Sequence, residues 1–442
     1  MPRFGAFSGQ DILARAWRGS AITAAAFALA QGLRLASNLI LARLLFPEAF
    51  GLMALIAVVL TGLQMLSDSG TAPSIARSTR GDDPDFLDTA WTIQALRGVL
   101  LWLLACALAW PFAQIYDAPA LTALLPVAAL ALLVSGLNPT RIDTAQRHLL
   151  LGRVTALDLA AQVTGIVAMV ALAFATGSVW ALVAGGVVTA CTKLMLCQMF
   201  LPGRANRPRW DPAAGAELLG FGKWIFASTA CGFALSQGDR LILGAYLSLE
   251  SMGHYNIGWF LASFPWLLGG AVVARVMIPL YRDRAPRIRR LRLAMTGGLL
   301  ALLALLALGG VPLVGLLYDP RYAPAGAIVV LVACVQMPAV IGMTYDQAAL
   351  AAGDSRGFFG VLLVKALVQT AAILIGAESF GLIGALAGQG LALAAVHPAI
   401  IWLARRHGVW DARHDLGFFA ACLPVIAAAL WLNRAALVAL LG

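Results

Sequence analysis

The chain has 442 residues, of which 61% are hydrophobic and 12% are charged, and its formal net charge is +10. Soluble domains carry about twice that charged fraction, so these totals exclude an ordinary soluble protein. The positive charge does not indicate nucleic-acid binding, because the basic residues lie in short segments between long apolar runs and so follow membrane topology. We therefore predict an all-α polytopic membrane protein.

A membrane-spanning helix needs about 20 mostly apolar residues. By that measure a first set of six spans lies near 20–44, 50–70, 90–112, 121–140, 157–176 and 179–200. After a polar connector rich in proline, a second set lies near 220–246, 254–280, 294–317, 324–350, 359–376 and 381–403, and a further helix lies near 416–432. We predict an N-terminal six-helix lobe over 1–205, a C-terminal six-helix lobe over 206–406, and one or two extra helices over 407–442. The first span is expected to be an uncleaved helix rather than a signal peptide, because its apolar pattern continues to Leu45.

The distribution of arginine predicts the orientation of these spans. With the N-terminus in the cytoplasm, most of the arginines between the spans are cytoplasmic, including the dense run Arg282–Arg292, and only Arg43 and Arg321 lie outside. Cytoplasmic loops carry such an excess, so we predict a cytoplasmic N-terminus. We interpret the Arg282–Arg292 run as an interfacial segment that serves this topology.

The second half of the chain repeats the first. Leu39-Ile40-Leu41 recurs as Leu241-Ile242-Leu243, about 202 residues later. Because each half has an even number of helices, both halves insert with the same orientation, and they are predicted to form two pseudo-symmetric bundles with a hydrated cavity between them. Further matches at nearly the same spacing are Tyr116-Asp117 with Tyr318-Asp319, and Gly177 with Gly381.

Matched polar stripes lie on the first and seventh predicted helices. Arg34 and Asn38 form one stripe, and Ser236 and Arg240 occupy the equivalent positions of the other. A charge at mid-membrane depth costs about 2.5–3.5 kcal/mol, so it needs a hydrated cavity or a partner. We favour a cavity in which the two guanidinium groups bind phosphate, and the alternative is a structural salt bridge in each lobe.

Other cations lie within the predicted spans. Arg97, Arg275 and Lys365 are candidates for an inner vestibule, whereas Lys193 and Lys223 lie near the cytoplasmic ends and are expected to extend their charges to the interface. The cations outnumber the acids, so the cavity is predicted to prefer an anion.

Two carboxylates lie within the predicted spans, Asp239 on the seventh helix and Asp68 on the second. Asp239 adjoins Arg240, but neighbours on a helix point about 100° apart and need not pair. Asp68 lies near the cytoplasmic side. Each is either a residue that couples transport to an ion or a structural acid, and we favour the structural role for both.

No pattern for catalysis is present in the sequence. The predicted outer loops, such as Phe46–Ala49 and Leu247–Gly253, are too short for a catalytic domain, and no Walker A motif occurs. The six cysteines form no CxxC or Cys/His spacing. We therefore expect no enzyme activity, no metal and no cofactor.

Two segments resemble a known family. Residues 41–51, followed by Ser67-Asp68-Ser69-Gly70 and Arg77, are similar to the start of bacterial oligosaccharide flippases of the polysaccharide transporter (Wzx-like) family. Residues 237–244 resemble the seventh helix of that family. The resemblance covers nearly all of the chain, although the chain has about thirteen spans rather than the fourteen of longer members.

This resemblance implies the fold of the multidrug/oligosaccharidyl-lipid/polysaccharide exporters and a multi-pass location in the bacterial inner membrane. It implies alternating access that moves undecaprenyl-diphosphate-linked oligosaccharide from the inner to the outer leaflet for exopolysaccharide, O-antigen or capsule synthesis. Arg34, Asp239 and Arg240 are the positions that match cavity residues of the family. The expected partners are the lipid bilayer, this lipid-linked substrate and the polysaccharide polymerase machinery, with the protein acting as a monomer.

Two other functions are weighed against this one. A cation-coupled multidrug antiporter of the same superfamily would need an acidic cavity, which the excess of arginine disfavours. A membrane polysaccharide polymerase or ligase is disfavoured by the short outer loops.

Overall fold

The structure, a computed structural model, describes residues 9–67, 70–148, 150–282 and 288–440. Its description of side chains starts at residue 25 and omits 219–226, 271, 274, 275 and 279. The chain divides into two compact units. Unit 1 contains the residues up to Leu45 and Val59–Ala227, and unit 2 contains Phe46–Val58 and the residues from Ser228 onward.

The described residues form helices and no strand. Those from the N-terminus to the connector are α1 (Gly9–Leu44), α2 (Pro47–Leu66), α3 (Thr71–Arg77), α4 (Pro84–Ile115), α5 (Leu121–Ala128), α6 (Leu130–Gly136), α7 (Arg141–Arg147), α8 (Leu151–Thr176) and α9 (Trp180–Phe200). Those after the connector are α10 (Pro212–Tyr246), α11 (Leu249–Ala262), α12 (Phe264–Arg282), α13 (Ile288–Leu317), α14 (Pro324–Gly342), α15 (Asp346–Ala351), α16 (Ser355–Ala395), α17 (His397–Arg406), α18 (Ala412–Leu432) and α19 (Arg434–Ala439), with a 3₁₀ turn at Pro320–Tyr322.

Many of these helices are suited to a bilayer. Within the described residues, nine are long and apolar enough to cross a membrane, or ten if the pair formed by α5–α6 and α7, bent by 57°, counts as one span. Large apolar side chains such as Phe174 and Leu316 are about 80% exposed, as expected for surfaces that face lipid. The prediction of an all-α polytopic membrane protein is confirmed. The arrangement of twelve core helices plus one or two others stays a prediction.

Two predicted spans are broken in the structure. The span near 254–280 divides at Ser263, where α11 ends and α12 begins with Phe264 and Pro265. Proline lacks a backbone N–H, which costs nothing in the first turn of a helix, so Pro265 favours a new start there. The span near 121–140 divides at Ala129, three residues after Pro126, for a related reason: a proline inside a helix removes one backbone hydrogen bond.

Gly177 and Gly381, which are matched in the internal repeat, both adopt positive φ, of 59° and 56°. Gly177 ends α8, and Gly381 with Phe380 interrupts α16, so that the chain bends between the segments predicted near 359–376 and 381–403. Only glycine takes this conformation without strain, which explains why the same residue stands at both bends.

In unit 1 the connector, residues 202–211, is extended and bonded to the first turns of α4. Asp88, which is buried, forms an ion pair with Arg204 and accepts a hydrogen bond from the backbone N–H of Arg207. Further along, Asp211 forms an ion pair with Arg80 at 2.8 Å. The connector is therefore a fixed part of unit 1 rather than a flexible link.

The core of unit 2 is built around α14. Of the residues in the most apolar stretch of the segment from α14 to α15, 78% are buried inside the protein. The same share is only 17–28% for seven of the other eight helices that are long and apolar enough to cross a membrane. Buried Val330 and Met337 of α14 pack with Leu303 of α13 and Cys422 of α18. A helix that is apolar on all sides is one surrounded by other helices, so α14 is the central rod of this unit.

Candidate functional site

Arg240, on α10 in unit 2, is a buried cation with an organised environment. Its side chain is 7% exposed, and its guanidinium carbon lies 3.9 Å from the centre of the Trp259 ring on α11. One terminal N–H donates to the side-chain oxygen of Gln237 at 3.2 Å, and Nε has no hydrogen-bond partner among the described residues. None of the ion pairs in the described part of the chain includes Arg240. The ring holds the guanidinium plane without neutralising its charge.

The carboxylate next to it points elsewhere. Asp239 is 4% exposed, and its Oδ2 accepts a hydrogen bond of 2.5 Å from the hydroxyl of buried Tyr255 on α11. Its Oδ1 has no hydrogen-bond partner among the described residues. The two adjacent charges of α10 are therefore both fixed by α11, one through Tyr255 and the other through Trp259, as expected for neighbours that point in different directions on a helix.

The remaining predicted residues of unit 2 have different surroundings. Ser236 is exposed, and its hydroxyl donates to the carbonyl of Phe233 on the same helix. Lys365 of α16 forms a 2.5 Å ion pair with Asp346 of α15, so its charge is balanced within the unit. The side chain of Arg275 lies outside the described side chains.

The residues predicted in unit 1 lie on α1 and α4. Arg34 is exposed, and Asn38, one turn further along α1, is partly buried, with an Oδ1 that has no hydrogen-bond partner in the described part of the chain. Arg97 of α4 donates to Ser67 Oγ at 2.9 Å and to the backbone carbonyl of Gln64 at 2.8 Å. Asp68 lies outside the described residues.

A buried polar cluster in unit 2 was not found by sequence reasoning. Asp415 of α18 accepts hydrogen bonds from His397, His414 and Tyr345, with donor–acceptor distances of 3.1, 2.8 and 2.8 Å. Arg292, from the run interpreted as interfacial, is only 4% exposed and lies over the Tyr345 ring. The members come from α13, α14–α15, α17 and α18, so no spacing along the chain could have revealed the cluster.

These features define a multi-pass helical membrane protein. The structure resembles that of the lipid II flippase MurJ in an inward closed conformation, with a TM-score of 0.64 at 10% identity over 93% of this chain and 92% of that one. It also resembles a multidrug resistance MATE family transporter in an inward-facing conformation, with a TM-score of 0.59 at 14% identity over 85% and 94% of the two chains. At such low identity these likenesses show the fold alone.

The chain belongs to the polysaccharide biosynthesis protein family, whose model matches residues 40–317. It is 23% identical to the lipopolysaccharide biosynthesis protein WzxC of Escherichia coli (strain K12), over 84% of this chain and 77% of WzxC. It is 24% identical to the succinoglycan biosynthesis transport protein ExoT of Rhizobium meliloti (strain 1021), over 90% of this chain and 81% of ExoT. The family resemblance predicted from the two sequence segments is confirmed, and the protein is a multi-pass protein of the inner membrane.

Proposed function

We propose that this protein is a flippase that moves undecaprenyl-diphosphate-linked oligosaccharide from the inner to the outer leaflet of the cytoplasmic membrane. Membership of the polysaccharide biosynthesis protein family supports this, as do relatives named for lipopolysaccharide biosynthesis and succinoglycan transport. The protein would carry its substrate without altering a covalent bond, so no catalytic residue and no cofactor are assigned.

One observation carries the proposal: the buried charge of Arg240 is held by an aromatic ring and not by a carboxylate. A cation at this depth is costly to maintain, and a structural arginine would be expected to have an acidic partner. A guanidinium group presents two parallel N–H donors that suit a phosphate. We assign the diphosphate to Arg240, with Ser236 one turn away on the same helix, and Arg34 and Asn38 on the equivalent helix of the repeat stay candidates for contact with the substrate.

The other predicted cations have supporting roles in this proposal. Arg97 and Lys365 already have partners within their own units, so we assign them to positioning of the helices around the substrate. Arg275 stays a candidate for direct contact. Asp239, held by Tyr255, fixes the part of α10 that presents Arg240.

Alternating access supplies the movement in this mechanism. The diphosphate and sugars would enter from the cytoplasmic side while the lipid tail stays in the bilayer, and the protein would then open outward. We propose an N-terminus in the cytoplasm, action as a monomer, and delivery of the substrate to a polysaccharide polymerase at the outer leaflet.

The test replaces Arg240 by alanine in a strain whose chromosomal copy is deleted. Lipid-linked oligosaccharide should accumulate on the cytoplasmic leaflet, and surface polysaccharide should fall at least tenfold, at a membrane level of protein equal to that of the wild type. The matched control is Arg434→Ala, because Arg434 also lies over a tryptophan ring, Trp431, but in the C-terminal helix α19. Normal polysaccharide in the Arg240 variant would contradict the assignment.

The deletion strain also separates flippase from drug antiporter. A flippase predicts lost surface polysaccharide with unchanged susceptibility to cationic drugs. Increased drug susceptibility with intact polysaccharide would instead favour the antiporter.

A further inference from the structure

Unit 1 contains a cavity of about 210 Å³ between α4, α6 and α9. Gln94 and Arg97 of α4 line it four and seven residues after the start of the span predicted near 90–112, which is about 6–11 Å along the helix axis. Polar groups at membrane depth are costly and therefore mark functional sites by default. The polar lining consists of Gln64, Gln94, Arg97, Ser135, Asn138, Asp143 and Lys193.

The charges around the cavity balance one another. Lys193 forms an ion pair with Asp158 at 2.8 Å, and Arg97 faces the same cavity as Asp143. Two cations are thus set against two carboxylates. A bound phosphate or a cationic drug would leave one charge unbalanced at membrane depth, so this cavity favours a ligand that is polar but neutral.

The hydrogen-bonding groups suit a ligand with several hydroxyls. Gln64, Gln94 and Asn138 each place an amide at the cavity, and the amide of Gln94 already donates one N–H to Thr71 Oγ1 at 3.1 Å. The Oδ1 of Asn138 is buried beneath the cavity surface and has no hydrogen-bond partner among the described residues, so turning this amide toward a ligand in the cavity would remove the cost of an unbonded buried oxygen. None of the described residues that line this cavity is aromatic, and its volume is below the roughly 300–1,000 Å³ of sites for drug-sized molecules.

We propose that this cavity binds one sugar ring of the lipid-linked oligosaccharide. This inference rests on the proposed function and adds a separate subsite for the glycan, with Asn138 and Gln94 as the residues that discriminate between sugars. The diphosphate is bound elsewhere, at Arg240. The two parts of the substrate are then recognised by different chemistry, one by charge and the other by hydrogen bonds.

The test measures binding of defined lipids to the full-length protein in nanodiscs. The probes are undecaprenyl diphosphate alone and undecaprenyl diphosphate carrying a single glucose, galactose or N-acetylglucosamine. Gln94→Met and Asn138→Leu keep the side-chain size and remove the hydrogen bonds. Each should weaken binding of the best glycosylated probe at least tenfold and leave binding of the bare diphosphate unchanged.

Two further variants show whether a loss of binding comes from the cavity or from misfolding. Ser135→Trp places a large ring at an exposed position on the cavity wall and should give the same selective loss while it leaves the internal hydrogen bonds intact. Gln198→Met, an exposed glutamine of α9 that does not line the cavity, is the matched control and should change neither affinity.

The outcomes separate this inference from the proposed function. If the wild-type protein binds bare undecaprenyl diphosphate but holds no glycosylated probe more tightly, the sugar subsite is wrong and the flippase proposal stands. Equal loss for both kinds of probe in the cavity variants, or no loss, would also overturn the subsite. If the wild-type protein binds no probe, both proposals fail.

Discussion

Gly51 and Gly253 each pack against the first turn of the other's helix. A methyl group on Gly51 of α2 would overlap the backbone carbonyl of Leu249, the first residue of α11, and a methyl group on Gly253 of α11 would overlap that of Pro47, the first residue of α2. The four residues are also matched in the sequence repeat, about 202 positions apart. The two helix starts are therefore related by a local two-fold axis, and glycine is needed on both sides because the backbones touch.

This contact predicts a matched effect of alanine at the two positions. Gly51→Ala and Gly253→Ala should each destabilise the protein by about 1–3 kcal/mol, because the added carbon forces the helices apart. The measurement is the thermal unfolding midpoint in detergent. Gly315→Ala in α13 is the control, since a carbon there meets nothing within 4 Å and alanine is the better helix former. A midpoint for the α2 and α11 variants as high as that of the control would contradict the close packing.

The hydrogen bond from Tyr255 to Asp239 predicts that removal of the Tyr255 hydroxyl alone destabilises the protein. Tyr255→Phe leaves Asp239 buried with neither oxygen bonded, so the free energy of unfolding should fall by about 1–3 kcal/mol. The control is Tyr318→Phe, because the hydroxyl of Tyr318 is buried and has no hydrogen-bond partner within the described part of the chain. That variant should be neutral or slightly stabilising. Denaturant unfolding of both variants makes the comparison, and equal effects would argue against the bond.

The Lys365–Asp346 ion pair predicts that a variant lacking one of the two charges is less stable than a variant lacking both. Lys365→Met leaves Asp346 without its partner and should cost roughly 3 kcal/mol, the lower end for buried pairs, since the side chains are 20% and 18% exposed. The double variant with Asp346→Leu should recover most of that loss, because no unpaired charge remains.

A more exposed pair serves as the control for that cycle. Lys193 and Asp158 are 35% and 43% exposed, so Lys193→Met should cost no more than about 1 kcal/mol. Thermal unfolding of these three variants and the wild type provides the comparison. A double variant as unstable as Lys365→Met would show that the loss comes from packing and not from charge.

The ion pair that holds the connector predicts a dependence on pH. The hydrogen bond from Arg80 lowers the pKa of Asp211, and a second bond from the N–H of Ala213 acts in the same direction. A carboxyl group with a lowered pKa stabilises the folded state above its unfolded pKa of about 3.9, and the contribution is lost as the pH falls through the folded value.

The expected result is a constant difference between wild type and Asp211→Asn in the unfolding midpoint from about pH 8 to pH 5, which then shrinks below about pH 4. Arg80→Gln should show the same profile, and the double variant should show little further loss. A difference that grows as the pH falls would contradict the direction of the pKa shift.

The polar stripes show how far sequence reasoning reached at the site. The spacing of Arg34 and Asn38, and of Ser236 and Arg240, was readable because residues three and four apart share one face of a helix. The same reasoning could not find Trp259 or Tyr255, which decide what surrounds Arg240 and Asp239, because they lie on the next helix. Lys193 was expected to extend to the interface, yet it pairs with Asp158 beside the cavity of unit 1.

The sequence by itself determined the membrane location, the helical fold and the family, because hydropathy and the internal repeat are properties of residues close together along the chain or at a fixed spacing. Only the tertiary structure decided which charges are neutralised: Lys365 is paired with Asp346, Arg292 is buried over Tyr345, and Arg240 is held by a ring. The physical reason is that the energy of a charge in a membrane depends on its nearest neighbours in space, and those come from helices far apart in the chain.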